Sequence, residues 1–236
     1  MQAFLSGASA VLWYILPAAT IMFTARRLIR IPDELFRKLL HFILLGAYIP
    51  FLFAFDVWWM AAGLAAVLAV VLYPLLLLAG RIPGFTKFTT QRKEGEFASS
   101  MVLAFVVMTL SIAVCWGVFG SRHLVLACVY AWGVGDAFAA LVGKQFGRHK
   151  LRFRYADPRK SVEGSAAMFV TSALAVLLVL LSQDRLPPAA YAVIPAAGAG
   201  AAALVEMITR DGRDTLYCPA AAMLVIIPLT ALFGGL

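Results

Sequence analysis

Charge is what this chain has least of. Asp, Glu, Lys and Arg make up only 14% of its 236 residues, where a soluble domain carries about 25%. Hydrophobic residues take 63%, and mean hydropathy is +0.90. That excess is too large for one protein core, so the chain is expected to use lipid as its solvent. Cysteine is scarce as well. Cys115, Cys128 and Cys218 stand singly in apolar sequence without metal-ligand spacing, which makes them packing residues. A P-loop is missing too: Lys160-Ser161 resembles the tail of one, but the GxxxxGK[ST] pattern is absent. There is no internal repeat and no low-complexity tract. Ala196 to Ala203 is merely rich in Ala and Gly, which suits close helix packing.

Acids are outnumbered, 12 against 20 Lys and Arg, for a formal net charge of +8. In a soluble protein this balance would suggest nucleic acid. Here the cations fall in a few loops, so membrane topology is considered first and nucleic acid is not expected as a partner. Residues 1–24 carry no charge and no basic segment precedes them, so they are expected to form a retained first helix rather than a signal peptide, with Pro17 as a tolerated kink. Seven further apolar segments follow, at about 39–55, 57–80, 97–120, 123–143, 163–181, 189–205 and 216–236. The second and third are parted only by Asp56.

The expected fold is therefore all-α: a polytopic membrane protein of about eight transmembrane helices, residues 1–236 forming one membrane-embedded catalytic domain. The connections after helices one, three, five and seven hold five, four, seven and two Lys or Arg, leaving only Arg122 and Arg185 for the others. This alternation places the basic loops in the cytoplasm and both termini on the other side. Every candidate motif then lies at one membrane face.

The strongest motif runs from Gly135 to Ser165. It opens on Asp136, an acid inside an apolar segment. A charge there costs at least ~2.5–3.5 kcal/mol on insertion scales, so it needs a cation, a metal or water. The chain leaves the membrane through Gly143-Lys144 and Gly147. It then crosses a loop holding Arg148, His149, Lys150, Arg152, Arg154, Arg159 and Lys160, and re-enters at Ser161-Val162-Glu163-Gly164-Ser165. Ser161 can cap a helix whose free N–H groups face an anion, with Lys160 beside it. Gly164 permits close backbone approach, and Glu163 could hold a divalent cation. The plain alternative is a topogenic basic loop with a structural Asp136.

Three further clusters lie at the same face. Pro32-Asp33-Glu34 signals a helix start, and Glu34, Arg37, Lys38 and His41 share one side of that helix; a Glu34–Lys38 pair anchoring the interface is the plain reading. Glu94 and Glu96 close the second basic loop, either as a solvated boundary or as metal or substrate ligands. Glu206 ends the seventh segment, and Asp211 and Asp214 precede the eighth.

Together these residues resemble the polyprenol/diacylglycerol kinase family, which includes dolichol and phytol kinases. An E-x-x-R-K-x-x-H motif is met by Glu34, Arg37, Lys38 and His41. The G-D-A…G-K-x-x-G-x-x-K…K-S-x-E-G-S block is met from Gly135 to Ser165. The C-terminal pattern is met by Glu206, Asp214, Leu216 and Pro219, with Thr215 where the family usually has Asn. The resemblance implies a lipid alcohol as phosphate acceptor, CTP (or ATP) as donor, and Mg²⁺.

On this reading Asp136 is a metal ligand, with Glu163 or Glu206 as a second. Gly135, Gly143, Lys144, Gly147, Lys150, Lys160, Ser161, Gly164 and Ser165 bind the nucleotide phosphates. Arg37 and Lys38 fix phosphate charge, and either His41 or Asp136 takes the hydroxyl proton. The nearest rival is a phosphatidate cytidylyltransferase, which would transfer CMP; a lipid or anion transporter is the alternative from another class. The expected location is a bacterial inner membrane with the site facing the cytoplasm.

Overall fold

The computed structural model describes the chain apart from residues 1, 83, 86–88, 90, 92–94, 184, 185 and 211. Glu94 and Asp211 thus lie outside the described residues. Among those described there are eight long helices and no strand: α1 (Gln2–Leu28), α2 (Asp33–Phe53), α3 (Trp58–Gly80), α4 (Glu96–Ser111), α5 (Arg122–Phe146), α6 (Val162–Leu181), α7 (Ala190–Ile208) and α8 (Asp214–Leu232). With a π-helical extension of α4 over Ile112–Val118, all eight are long and apolar enough to cross a membrane. Large apolar side chains such as Trp13, Val70, Leu224 and Leu232 are mostly exposed, which only a lipid solvent tolerates on this scale.

The helices fall into two compact units, residues 1–113 and 114–236. In the first, α1 packs on α2 and α3 on α4. Gly7 lets α1 approach Phe55, because a Cβ there would stand 2.5 Å from the ring. Tyr14 donates its hydroxyl to the Ile43 carbonyl at 3.1 Å. The contact face of α3 is a stripe of alanines, Ala61, Ala62, Ala65 and Ala69. Small residues of this kind let backbones come close where no hydrophobic effect drives association. The chain between α2 and α3, around Asp56, is a genuine break, so the two segments are separate helices.

The second unit carries the long motif. Its central pair is α5 against α6, with α7 and α8 packed alongside. Ser121 caps α5 by accepting a hydrogen bond from the Leu124 N–H at 3.2 Å, and the Arg122 guanidinium sits 4.3 Å from the centre of the Trp116 ring. The Ala/Gly stretch of α7 behaves as a packing face: a Cβ on Gly198 would stand 2.6 Å from Ile226 of α8. Trp132, Met168, Ala202, Ala203 and Cys218 form one buried cluster joining all four helices.

Candidate active site

The site is built where α5 ends, α6 begins and α7 meets α8. Helix α5 runs one turn past Gly143 and stops at Phe146, with Gly147 as its cap. Asp136 is therefore ten residues from the last helical position, about 15 Å along the axis rather than the ~10 Å that an end at Gly143 would give. The reason is that Gly143 is a packing residue. It faces Gly164 of α6, where an added Cβ would stand 2.9 Å from the Ala139 carbonyl oxygen and 3.2 Å from Gly143 Cα. A Cβ on Gly147 would collide with the Gly143 carbonyl and with Ser161, and one on Gly135 with Ser172. The motif's glycines thus bring two helix backbones together. Replacing Gly164 by Ala should destabilise the protein by ~1–3 kcal/mol through overpacking, read as a lower unfolding midpoint in detergent.

Ser161 caps α6 as expected, its hydroxyl accepting from the Gly164 N–H at 3.2 Å. The basic loop folds back like a hairpin. Lys150 and Ser161 form an antiparallel bridge, with Leu151 N–H donating to the Lys160 carbonyl at 3.1 Å and Val162 N–H to the His149 carbonyl at 2.9 Å. Lys150 donates its ammonium to the Arg159 carbonyl at 3.1 Å. Lys144 is exposed in the last helical turn of α5, and Ser165 is buried with its hydroxyl unpartnered among the described residues.

Lys160 is the hinge of the cluster. Its side chain is only 17% exposed and its ammonium meets Glu206 Oε1 at 2.9 Å, while also donating to the Glu206 backbone carbonyl. Glu206 is buried, and its other oxygen, Oε2, has no hydrogen-bond partner among the described residues. The charges of Asp136 on α5 and Asp214 on α8 both act on Glu206, and the charges of all four groups act on Cys218. Glu206 thus pairs with Lys160 while feeling the charges of acids on two other helices.

No three His, Cys, Asp or Glu side chains among the described residues stand close enough to cage an ion alone. The donor set still fits Mg²⁺, which usually takes one or two carboxylates and completes its shell with water and substrate phosphate. The orphaned Glu206 Oε2 is the oxygen such an ion would find. Glu163 fits less well. Its carboxylate is held by His149, whose ring Nδ1 lies 2.6 Å from Oε1 and whose N–H donates to both oxygens.

A staple that sequence reasoning missed holds Lys160 in place. Asp157 is buried and accepts from the Arg159 guanidinium at 2.9–3.3 Å. Its own N–H reaches the Met207 carbonyl at 3.0 Å, and Arg210 donates to the Ala156 carbonyl at 2.9 Å. The loop is thus pinned to the end of α7 just before Lys160. The Asp-Pro-Arg turn at 157–159 was the available signal. Burial works to raise the Asp157 pKa, but the hydrogen bonds and charge of Arg159, helped by Lys160, outweigh it and hold the carboxyl below its ordinary value. A lowered folded-state pKa adds stability above the unfolded value and loses it as pH falls through the folded one. Asp157→Asn should therefore lower the unfolding midpoint at neutral pH, with the gap to wild type closing below the usual carboxylate range.

The remaining candidates, Arg37, Lys38 and His41, lie in the other unit, half-buried in the first turns of α2. Pro32 precedes that helix as the sequence indicates. Glu34 pairs with Arg37 at 3.6 Å. Arg26 adds a pair with Asp33 and lies over the Phe36 ring. Glu96 opens α4 in its first turn.

Comparison with known proteins agrees in extent with this layout. The model of the cytidylyltransferase family matches residues 2–236. A phytol kinase from Synechocystis sp. is 30% identical over 215 residues, covering 87% of this chain and 84% of that protein. No solved structure matches.

Proposed function

The chain belongs to the cytidylyltransferase family and to the polyprenol/phytol kinase family, and from that premise we propose that it transfers the γ-phosphate of CTP to the hydroxyl of a lipid alcohol at the cytoplasmic membrane face. The observation that carries the proposal is the buried Lys160–Glu206 pair at 2.9 Å where α7 ends, on which the charges of Asp136 within α5 and Asp214 at the start of α8 also act. Phosphoryl transfer asks a protein for little covalent chemistry; it needs positioned reactants and charge placed where the transition state develops it. A polyphosphate would be met by Lys160, Lys150, Lys144 and the capped start of α6.

In the reaction the lipid oxygen bonds to the γ-phosphorus as the bond to the β,γ-bridging oxygen breaks, and CDP leaves. The hydroxyl proton passes to His41 or to Asp136. A histidine is suited to this near neutral pH, and a carboxylate inside the membrane is suited to meet a hydroxyl that arrives laterally from lipid. Arg37 and Lys38 would balance the charge that grows on the leaving nucleotide. Asp136 and Glu206 are the residues to hold Mg²⁺, with Asp214 in support; when bound, the ion supplies charge neutralisation at the phosphate oxygens.

The family description favours one second reading, transfer of CMP from CTP to a phosphorylated lipid with release of pyrophosphate. The proposal is tested by supplying the purified protein, in lipid, with CTP or ATP and a panel of isoprenoid alcohols and diacylglycerol. A lipid monophosphate and CDP are the expected products. No product from any alcohol with either nucleotide would end the kinase reading.

A further inference from the structure

An open groove of about 680 Å³ runs between α7 and α8, within the ~300–1,000 Å³ range of small-molecule sites. Its walls are apolar: Val205 and Ile208 on α7, Ala220, Ala221 and Leu224 on α8. Its loop end is different. There Arg210 and Arg213 line it, with Tyr217 one turn further along α8. The two arginines are brought together by a turn in which Arg213 N–H donates to the Arg210 carbonyl at 3.3 Å and Gly212 takes φ +78°, a left-handed conformation that glycine adopts without strain. Arg210 is held by its bond to Ala156 through one nitrogen, and its other guanidinium N–H donors have no partner among the described residues. Arg213 is exposed at the N-terminal end of α8, where the helix dipole also favours an anion.

An apolar trough closed at one end by two guanidinium groups matches one kind of molecule, a single greasy chain ending in a doubly charged phosphate. We propose that this groove binds a lipid monophosphate, its chain along α7 and α8 and its phosphate monoester on Arg210 and Arg213. The occupant's identity as product rests on the kinase reading. The same two helices supply Glu206 and Asp214, so a lipid phosphorylated at that cluster would need only a short move to reach the arginines. Two cations suit the two charges of a monoester better than the single charge of a phospholipid diester, which commits the site to the former.

The test uses the full chain in phosphatidylcholine nanodiscs without nucleotide, and a photoactivatable single-chain isoprenyl monophosphate as probe. The expected result is crosslinking to peptides spanning 205–224, with the matching neutral alcohol binding at least about tenfold more weakly, since it forgoes charge-assisted hydrogen bonds. Arg210→Gln and Arg213→Gln should each weaken binding by roughly tenfold, and Ala221→Trp should block it by filling the trough. Crosslinking elsewhere, indifference to all three substitutions, or equal displacement by phosphatidylglycerol or inorganic phosphate would overturn the proposal. Transfer from CTP is assayed on the same preparations. Transfer with no arginine-dependent binding ends the groove proposal alone; arginine-dependent binding with no transfer to any alcohol ends the kinase reading and leaves the groove standing.

Discussion

Asp136→Asn is expected to abolish lipid phosphorylation, by roughly 10²–10³-fold or more, while leaving the thermal unfolding midpoint close to wild type. The magnitude is that of removing one group that stabilises transition-state charge in a site shielded from water. Asparagine keeps the size of aspartate and removes only its charge and basicity, so helix α5 should pack as before. Both roles open to Asp136, holding an ion or taking the hydroxyl proton, need the carboxylate. Asp136→Glu separates them. A metal ligand displaced by one methylene should lose Mg²⁺ affinity, read as a raised Mg²⁺ requirement. A displaced base should lose turnover at every Mg²⁺ concentration. Near-normal activity of Asp136→Asn with an intact fold would remove the residue from the mechanism.

Lys160→Met should have the second-largest effect, and it should fall on both activity and stability. Removing the ammonium leaves buried Glu206 without its 2.9 Å partner, and breaking a buried pair from one side costs about 3–5 kcal/mol. Activity should fall by a further ~10²-fold or more because the γ-phosphate loses its cation. The double variant Lys160→Met/Glu206→Gln divides the two contributions. It removes the stranded charge, so the unfolding midpoint should recover most of the loss while activity stays absent. Recovery of activity together with stability would mean that the pair only supports the fold.

Much of this was legible in the sequence because membrane helices announce themselves by length and apolarity. The eight spans, the start of α2 after Pro32 and the Ser161 cap all depend on local chemistry. What could not be read depends on distant partners. Gly143 looks like a helix terminator in isolation, yet across from Gly164 it is a contact point, and α5 continues to Phe146. The π-helical turn at Ile112–Val118 has no marker in an apolar run. In the sequence Glu163 is as eligible for a metal as Glu206; His149, fourteen residues away, occupies the one, while Lys160 leaves an oxygen of the other unpaired among the described residues. The Asp157–Arg159–Arg210 staple joins a loop to a helix end some fifty residues later, a separation that no local pattern encodes.

The glycines change meaning in the same way. In a soluble phosphate-binding loop, repeated glycine signals backbone wrapped around an anion. Here Gly135, Gly143, Gly147 and Gly164 are occupied by helix contact. Their close packing sets the positions of Ser161 and of the start of α6.

The central claim is that the bond broken in CTP is the one to the γ-phosphorus. It is tested most directly with the purified protein, a lipid alcohol, a phosphorylated lipid, and CTP carrying distinguishable labels at its α- and γ-phosphorus. The account predicts that the γ label enters the alcohol and the α label leaves in CDP, with no pyrophosphate formed. Entry of the α label into lipid, with pyrophosphate released, would contradict it and make the protein a cytidylyltransferase.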